Sequence, residues 1–523
     1  MKYKVLLTTS GVGSRLGDVT KYTNKSLVPI GKRPAISHII EAYPKETKFI
    51  ITLGYYGNHV RDFLKLAYPS YDFTFVKVDN YQGKGSSLAY SMLKASRYLR
   101  SPFIFHACDT LIKEPIPLPD YDWSGGHKGP GSSQYTSFST IGGYVKEIFS
   151  KGMIKPEFLH IGLIGIANHR RFWLQMRKLI KKRPYDSTLG DVSTLRTLIK
   201  RGVRFKALEF RSWLDIGNTQ ALEETRKKIK SEFHVMEKPT EAIFFFDDFV
   251  IKFFHDENIV KKRVKRSSIL VGKVPPILDT KPNFYKYKFV PGILLSDTNN
   301  TREFRKFLKW LKSDLWKPTN KLSQTKFNKV CYDFYITKTK ERINTFLETR
   351  ATKDGTHIIN GITVPPVSKL LAKIDHDWLC SSKQSHFHGD LIPDNILKTR
   401  DGYCLIDFRQ DFGGQLVVGD KYYDIAKFNQ NLIVNHELIR NNLFSIQIEG
   451  AKVTWKLLRK QTLVEYERIM RDFLLKNNYD LKKVEVLTAI IRLNMSPLHH
   501  HPFDEFLFYF GKYNLYQALY GNQ

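Results

Sequence analysis

Two sets of residues in this chain have the types and spacing needed for phosphate chemistry. One set lies in His-Gly-Asp-Leu-Ile-Pro-Asp-Asn-Ile-Leu at residues 388–397 and continues in Leu-Ile-Asp-Phe at residues 405–408. Asp390 could accept the proton of an attacking hydroxyl, while Asn395 and Asp407 could hold Mg²⁺ between the phosphates of ATP. This spacing predicts that Asp390 is catalytic and that the other two are metal ligands.

The other set begins with a glycine loop at residues 10–17, Ser-Gly-Val-Gly-Ser-Arg-Leu-Gly. Its glycines allow backbone amides to approach phosphate oxygens, and Arg15 adds a planar, permanently charged group. The loop is neither a Walker A loop nor a dinucleotide fingerprint, because Gly-Lys-Ser/Thr is missing and Leu16 replaces a third glycine. By itself, it also suits a tight turn between a strand and a helix. The predicted nucleotide-binding residues here are Ser10, Gly11, Gly13 and Ser14, together with Gly83 and Gly85 of a later glycine-rich turn that opens a helix.

Further motifs follow this loop in a fixed order: Lys-Ser-Leu-Val-Pro at residues 25–29, Asp109 at the end of an apolar segment, and Trp-Leu-Asp-Ile-Gly at residues 213–217. Over about residues 1–225, the chain therefore resembles the sugar-phosphate and choline-phosphate nucleotidyltransferases. The resemblance implies that Arg15 and Lys25 stabilise charge as an α-phosphate is attacked. It also implies that Asp109 and Asp215 share Mg²⁺.

Alternatives to these roles stay open in the sequence. Asp109 could cap a strand end, and Asp215 could cap the helix that follows it. The run Thr8-Thr9-Ser10 stands where the family usually has small alanines, so the base of the nucleotide is not predicted. On the acceptor side, Lys155 is the residue we would test, although it also suits an ordinary surface position.

Alternating strands and helices must position the first set of motifs. Apolar segments predict strands at 3–9, 48–54, 73–78 and 102–107, with helices at 57–67 and 85–99. This alternation predicts an α/β domain with a Rossmann-like, mostly parallel sheet and helices on both faces. Ligands of such sheets bind beyond the carboxyl ends of the strands, where the glycine loop and Asp109 fall.

A second domain is predicted from residue 236 to the end, after a basic helix at about 219–232. Residues 242–254 predict a β-hairpin with its turn at Asp247 and Asp248. Lys252, on the second strand of this hairpin, would bind the phosphates of ATP. With residues 388–408, this segment resembles the aminoglycoside phosphotransferase and choline kinase group over about residues 240–510. The resemblance implies a two-lobed kinase-like α+β domain. The chain departs from that pattern between residues 258 and 266, where no acid follows to pair with Lys252.

Composition limits the remaining possibilities. The formal net charge is +32 and the isoelectric point is about 9.7, which fits basic helix faces and a field that attracts nucleotides. The basic runs are short and scattered, so specific nucleic-acid binding is not expected. No apolar run is long enough to span a bilayer. The scattered cysteines show no paired spacing, which is typical of a reducing cytoplasm. They are Cys108, Cys331, Cys380 and Cys404.

These observations predict a bifunctional enzyme with two Mg²⁺-dependent sites. The second domain would phosphorylate a small alcohol or sugar with ATP. The first would couple that phosphate to a second nucleotide, CTP, UTP or GTP, and so make an activated precursor for surface polysaccharide. One alternative is a choline or ethanolamine kinase joined to a CTP-dependent cytidylyltransferase. Another is a monofunctional nucleotidyltransferase with a degenerate kinase-like binding domain. The oligomeric state is not predicted.

Overall fold

The computed structural model describes residues 3–129, 134–152, 156–230 and 238–521. The chain forms two compact units. Unit 1 comprises Met1–Glu257 and Leu278–Phe289, and unit 2 comprises Asn258–Ile277 and Val290–Gln523. Lys155 and the predicted domain boundary at residues 235 and 236 lie outside the described residues.

Unit 1 contains the glycine loop and most of the predicted strands. Its strands are β1 Lys4–Thr8, β2 Pro29–Ile30, β3 Arg33–Pro34, β4 Lys48–Leu53, β5 Asp72–Lys77, β6 Phe103–Ala107, β7 Thr110–Leu111, β8 Trp123–His127, β9 Ser137–Ile141, β10 Tyr144–Phe149, β11 Phe158–Ile166, β12 Lys206–Glu209, β13 Leu214–Asp215, β14 Glu241–Phe245, β15 Phe249–Phe254, β16 Ile277–Lys281 and β17 Phe284–Lys288. Its helices are α1 Ala35–Glu41, α2 Gly57–Ala67, α3 Leu88–Ala95, α4 His169–Lys182, α5 Asp191–Lys200 and α6 Thr219–Lys228.

The main sheet of unit 1 has its described strands in the order β5-β4-β1-β6-β11-β8-β12-β10-β9. Strands β5, β4, β1 and β6 are parallel, as predicted, and so are β8 and β12. The prediction of a mostly parallel sheet is wrong for the rest, because β11 runs antiparallel to its neighbours and β9 and β10 form a hairpin. That hairpin turns at Gly142 and Gly143, whose positive φ angles permit a turn too short for a crossover helix.

Both faces of this sheet are covered by helices, as predicted. Along β1, Val5 and Leu7 belong to a core that includes residues of α1 and α2, whereas Leu6 belongs to a core with residues of α3, α4 and α5. Successive side chains of a strand point to opposite faces, so a strand buried on both sides is apolar throughout. This explains why the apolar runs located these strands to within one or two residues.

A smaller sheet in unit 1 has the order β14-β15-β17-β16. Strands β14 and β15 form the predicted antiparallel hairpin, with Lys252 opposite Ile243. The sheet packs on α2, where the ring of Phe63 lies 5.2 Å from that of Phe244 and 6.2 Å from that of Phe284. These strands therefore share the core of the glycine-loop domain.

Unit 2 is largely helical. Its helices are α7 Glu257–Ile269 (apart from its first residue), α8 Thr301–Trp310, α9 Gln324–Tyr332, α10 Lys338–Thr349, α11 Val367–Ala372, α12 His376–Cys380, α13 Lys421–Ile433, α14 His436–Arg440, α15 Gln461–Lys476, α16 Leu481–Met495 and α17 Phe503–Tyr520. Its strands are β18 Ile293–Leu294, β19 His357–Ile359, β20 Ile362–Val364, β21 Gln384–Ser385, β22 Ile396–Thr399, β23 Gly402–Leu405, β24 Gly419–Asp420, β25 Phe444–Glu449 and β26 Lys452–Leu457.

Buried side chains from α9 to α13, α16 and α17 form the largest core of unit 2. Within the described ranges, no helix of either unit is long and apolar enough to cross a membrane.

Candidate active sites

A short strand pair brings together the two acids predicted to share a metal in unit 1. Strands β7 and β13 are antiparallel, and Asp215 lies opposite Thr110, the residue after Asp109. The amide of Ile216 also donates to the carbonyl of Asp109 over 3.1 Å. Asp215 does not cap α6, because Asn218 accepts a hydrogen bond from the amide of Ala221 in that role. The backbone therefore holds both acids at one place, although more than a hundred positions separate them in the chain.

The two carboxylates and Arg15 converge on Gly217. A Cβ atom placed on Gly217 would lie 3.1 Å from Oδ1 of Asp215, 3.2 Å from Oδ2 of Asp109 and 3.6 Å from Nη2 of Arg15. A side chain at this position would fill the space between the acids. Glycine leaves that space open, so both carboxylates can face a shared ligand.

Lys25 completes this group. Its Nζ lies 2.7 Å from Oδ2 of Asp109, and the two side chains are 16% and 19% exposed. Burial opposes the charge on both groups. The pKa of Lys25 is nevertheless raised by Asp109, and the pKa of Asp109 is lowered by Lys25 and then by Arg15. Burial raises the pKa of Asp215, and the Asp109 carboxylate raises it further. The two acids are thus held at different pKa values.

The donor set at Asp109 and Asp215 fits Mg²⁺. Carboxylate oxygens are the ligands that this ion prefers, and it usually takes one or two of them together with substrate phosphates and water. Within the described residues, no group of three or more His, Cys, Asp or Glu side chains could hold a metal. Two acids with room between them are what a site completed by substrate phosphates requires.

Asn24, a residue that the sequence reasoning missed, supports the glycine loop through hydrogen bonds. The buried Asn24 amide donates to the carbonyls of Thr9 and Tyr55 over 2.8 and 2.6 Å, and its Oδ1 accepts from the amide of Ser26. Ser10 is also buried, and its hydroxyl lies 2.9 Å from that of Ser91. Its signal in the sequence is faint, an Asn directly before the Lys-Ser-Leu-Val-Pro element.

The glycines predicted to contact nucleotide lie in exposed turns. Gly13 has a φ of 73°, and Gly83 and Gly85 have φ values of 82° and 85°. Gly11 and Ser14 are exposed beside Gly13. The helix after the second turn begins at Leu88, later than predicted, and Ser87 caps it by accepting from the amide of Tyr90. Nucleotide binding by both turns stays a prediction.

Tyr135 is a further residue of this site that the sequence reasoning missed. Its hydroxyl donates to Oδ2 of Asp215 over 2.8 Å, and its ring stands nearly perpendicular to that of Trp213 at 5.2 Å. The contact depends on folding of the main sheet, so no local pattern could have indicated it. Tyr135 occupies one oxygen of Asp215 and presents an aromatic face beside it.

In unit 2, a β-hairpin brings together Asn395 and Asp407. Strands β22 and β23 pair Ile396 with Leu405, and the amide of Ile406 donates to the carbonyl of Asn395 over 2.9 Å. The Asn395 amide donates to the carbonyl of Asp390 over 2.9 Å, which leaves its oxygen available as a ligand. Asp407 has a φ of 57°, a conformation uncommon outside glycine and often found at functional sites. An amide oxygen and a carboxylate so placed fit Mg²⁺.

Asp390 is paired with Lys427 of α13, another residue that the sequence reasoning missed. Nζ of Lys427 lies 3.1 Å from Oδ1 of Asp390. Burial would raise the pKa of Asp390, but the Lys427 ammonium holds it below its ordinary value. The carboxylate is therefore ionised near neutral pH and can orient an attacking hydroxyl and accept its proton.

Buried polar contacts fix the loop around Asp390. Asp424 accepts from the amides of His388 and Gly389, each over 2.7 Å, and burial raises its pKa to about 6. His388 is wholly buried, and its Nε2 donates to the carbonyl of Ile406 over 3.0 Å. The guanidinium of Arg266 in α7 donates to the carbonyls of Phe387, His388, Arg409 and Leu416.

Arg263, also in α7, contacts one of the predicted metal ligands. Its Nη1 lies 2.5 Å from Oδ1 of Asp407.

Lys252 is buried in β15 of unit 1, opposite Ile243 and Tyr285. Its predicted role toward ATP stays a prediction.

No family model and no curated protein matches the chain. Solved structures do match its N-terminal part. The CTP:phosphocholine cytidylyltransferase of Streptococcus pneumoniae is 18% identical, with 44% of this chain and 100% of that chain covered and a TM-score of 0.38. A UDP-glucose pyrophosphorylase complexed with UDP-glucose is 18% identical, with coverages of 44% and 98% and a TM-score of 0.37. The inositol-1-phosphate CTP transferase of T. maritima is 15% identical, with coverages of 45% and 98% and a TM-score of 0.35. At such low identities and TM-scores, the activity of this chain is inferred from its own residues.

Proposed function

We propose that the chain is a bifunctional enzyme that makes a nucleotide-activated small molecule in two steps. Unit 2 transfers the γ-phosphate of ATP to a hydroxyl of a small alcohol or sugar. Unit 1 then joins that phosphate to a nucleoside triphosphate and releases pyrophosphate. The single observation that carries the proposal is the convergence of Asp109, Asp215 and Arg15 on the open space at Gly217.

In unit 1, a phosphate oxygen of the acceptor attacks the α-phosphorus of the nucleotide, and the bond to pyrophosphate breaks. Lys25 lies beside Asp109 and Arg15 near Gly217, and both would neutralise charge that grows on the α-phosphate. Asp109 and Asp215 would hold Mg²⁺, which would supply positive charge to stabilise the substrate phosphates. The chain itself supplies position and charge, since this reaction needs no covalent intermediate.

In unit 2, the pair formed by Asp390 and Lys427 supports phosphoryl transfer to a hydroxyl. Asp390 orients the hydroxyl and accepts its proton, while Lys427 keeps Asp390 ionised. Mg²⁺ held by Asn395 and Asp407 would neutralise charge on the phosphates of ATP. Asp424 and Arg266 hold the loop that carries Asp390, so the carboxylate is preorganised.

The test incubates purified protein with Mg²⁺, ATP, the other nucleoside triphosphates and a pool of sugars and amino alcohols, with mass spectrometry as the readout. We expect wild type to form a nucleotide conjugate. Asp109→Asn should stop at the phosphorylated acceptor, and Asp390→Asn should make neither compound. Each loss should be on the order of 10²–10³-fold, because one preorganised charge is removed.

Two results would contradict this proposal in different ways. Conversion of phosphorylated acceptors without phosphorylation of any free acceptor would leave unit 1 as the active half alone. Equal conjugate formation by wild type and Asp109→Asn would remove the proposed nucleotidyl site. A matched control is Asp120→Asn, which removes an exposed carboxylate from the same unit.

A specific observation favours a second candidate, in which the acceptor phosphate is phosphocholine or phosphoethanolamine and the nucleotide is CTP. Tyr135 and Trp213 present perpendicular rings beside Asp215. Aromatic faces bind quaternary ammonium groups. Phosphocholine and a sugar phosphate, each supplied with CTP and with UTP, distinguish this candidate from the sugar acceptor.

A third candidate is a monofunctional nucleotidyltransferase whose second unit only binds ligands. The ion pair between Arg263 and Asp407 favours it, because a positive charge engages an acid needed for Mg²⁺. Arg263→Gln separates the alternatives. If the ion pair opens when the metal binds, Arg263→Gln should raise ATP turnover or leave it unchanged. A monofunctional nucleotidyltransferase should show no ATP turnover with or without the substitution.

A further inference from the structure

A group of basic side chains lies near Asp390. We call Lys338, Arg342, Arg409 and Lys427 the basic cluster. Lys427 lies 3.1 Å from Asp390, and the amide of Arg409 donates to the carbonyl of His388 in the catalytic loop over 3.0 Å. The cluster is therefore attached to the catalytic loop through contacts from two different segments.

The cluster is held together by an aromatic ring and by α10. Nζ of Lys338 lies 4.4 Å from the centre of the Phe334 ring, and the guanidinium carbon of Arg409 lies 5.2 Å from the same centre. Arg342 stands one helical turn after Lys338 on α10, so both side chains project from the same face. Phe334 is itself buried, which fixes the position of the ring.

These cations are close enough to repel one another. The pKa of Lys338 falls to about 7, first because of burial and then because of Arg409 and Arg342. The pKa of Arg342 is also lowered, by burial and then by Arg409. Mutual repulsion of this kind is a cost that an anion would relieve.

Nearby acids offset only part of the positive charge of the cluster: Asp411 raises the pKa of Lys338 and Glu341 raises that of Arg342. Asp411 lies 2.7 Å from Lys262, and Asp390 is paired with Lys427. Across the described ranges, no carboxylate forms an ion pair with Lys338, Arg342 or Arg409. The surroundings of Asp390 thus carry an excess of partly buried positive charge. Such a site attracts anions and repels ammonium groups.

We propose that the acceptor phosphorylated by unit 2 carries an anionic group, a carboxylate or a phosphate, which the basic cluster binds. This inference rests on the proposed kinase activity and names the substrate class of that site. The guanidinium groups of Arg342 and Arg409 suit planar or tetrahedral oxyanions, and Lys338 adds a point charge. The bound anion holds the acceptor so that its hydroxyl faces Asp390.

The transfer step balances with the groups present. A bond forms between the acceptor oxygen and the γ-phosphorus of ATP, and the bond from that phosphorus to the bridging oxygen of ADP breaks. The hydroxyl proton passes to Asp390. The product therefore carries its new phosphate together with the original anionic group. An amino alcohol such as choline would instead bring a positive charge into the cluster.

The first arm of the test measures binding without turnover. The whole protein is saturated with Mg²⁺ and a non-hydrolysable ATP analogue, and inorganic phosphate is titrated by calorimetry. We expect Arg342→Gln and Lys338→Met to weaken phosphate binding by about tenfold or more, as loss of one charge-assisted contact predicts. The matched control Lys340→Gln changes an exposed cation of the same helix and should bind phosphate like wild type. Equal affinity in all four proteins, or no binding to wild type, would overturn the inference.

The second arm measures ATP-dependent phosphorylation of matched acceptors: glucose 6-phosphate and gluconate as anions, glucose as a neutral compound, and choline as a cation. We expect kcat/KM to be highest for an anionic acceptor, and we expect Arg342→Gln to raise the KM for that acceptor while the KM for ATP stays the same. Comparison of the rates with the two anionic acceptors would show whether phosphate or carboxylate is the recognised group. A preference for glucose or choline would overturn the inference and leave the kinase activity standing. Phosphate binding at the cluster without any phosphorylation would keep the anion site and reject the kinase.

Discussion

At the scale of single residues, Gly217 leaves open the space between the two acids of unit 1. Its φ is not in the left-handed region, so alanine can adopt the same backbone conformation. The added methyl group would nevertheless lie about as close to both carboxylates as atoms tolerate. Gly217 therefore allows a steric test of the metal site that leaves every charge in place.

We expect Gly217→Ala to weaken Mg²⁺-dependent nucleotidyl transfer by about tenfold or more, because the carboxylates must move apart. The measurement is the Mg²⁺ concentration that gives half-maximal pyrophosphate release. Gly355→Ala is the control, since a Cβ there meets only His357 at an ordinary distance of 3.7 Å. An unchanged Mg²⁺ requirement in Gly217→Ala would place the metal elsewhere.

Lys338 should give the proposed phosphorylation by unit 2 a characteristic pH dependence. Its folded-state pKa is lowered to about 7, so the side chain is charged below that pH and neutral above it. Anion affinity should therefore fall as pH rises, and the KM for a carboxylate acceptor should increase several-fold from about pH 6 to about pH 8. Initial rates with such an acceptor, whose charge stays constant in this range, provide the measurement.

The variant Lys338→Met separates this effect from other titrations. Its KM should already be high at low pH and should change little as the pH rises. Lys340→Met, which alters an exposed lysine on α10, should behave like wild type. A KM that increases equally in wild type and Lys338→Met would assign the titration to another group.

The sequence predicted the acids of both candidate sites and Lys25, which pairs with Asp109, but not the partners of Asp215 and Asp390. Asp109, Asp215 and Asp390 stand in local strings with recognisable spacing. Lys427 and Tyr135, in contrast, reach Asp390 and Asp215 only through folding of distant segments. Partners of this kind depend on tertiary contacts, which one sequence does not encode as a local pattern.

At the scale of elements, the parallel half of the main sheet was predictable, whereas the antiparallel half was not. Strands β1, β4 and β6 are buried on both faces and so appear as continuous apolar runs. Strand β8, Trp-Ser-Gly-Gly-His, has no such pattern, and its Gly126 permits close approach by Phe138 and Phe158. Packing against neighbours rather than intrinsic propensity makes it a strand.

Helix α7 shows how a segment that appears only basic in sequence acquires a structural role. Its Arg266 is 1% exposed and holds backbone carbonyls on both sides of the catalytic loop, including those of Phe387 and Leu416. The guanidinium also stacks 3.8 Å from the centre of the Phe387 ring. The absence of an acid at residues 258–266 thus coincides with a helix that contacts the catalytic loop through arginine.

We expect Arg266→Met to loosen the catalytic loop, because several buried carbonyls would lose their donors at a cost of about 3 kcal/mol or more. Hydrogen exchange of the peptide around residues 384–392 should become faster, and kcat for ATP-dependent phosphorylation should fall. Lys265→Met, at the exposed neighbouring position, should leave both measurements unchanged. Unaltered exchange in Arg266→Met would show that other contacts suffice to hold the loop.

At the scale of the whole molecule, residues after 238 contribute strands to unit 1. Strands β14, β15 and β17 belong to unit 1 and cover α2. The amide of Phe245 donates to the carbonyl of Lys32 over 2.8 Å, and Nζ of Lys286 donates to the carbonyl of Leu66 over 3.1 Å. A fragment that ends at residue 235 would leave the apolar face of α2 in water.

We therefore expect nucleotidyl transfer by unit 1 to depend on residues that the sequence assigns to the kinase half. Phe244 is 1% exposed against Phe63, so Phe244→Ala should destabilise unit 1 by about 3–5 kcal/mol. The measurement is the urea concentration at which nucleotidyl transfer by the full chain is half lost. Leu278→Ala, on the same small sheet but 52% exposed, should shift that midpoint little. If Phe244→Ala kept the wild-type midpoint, or the fragment 1–235 matched the full chain, the small sheet would not support the glycine-loop domain.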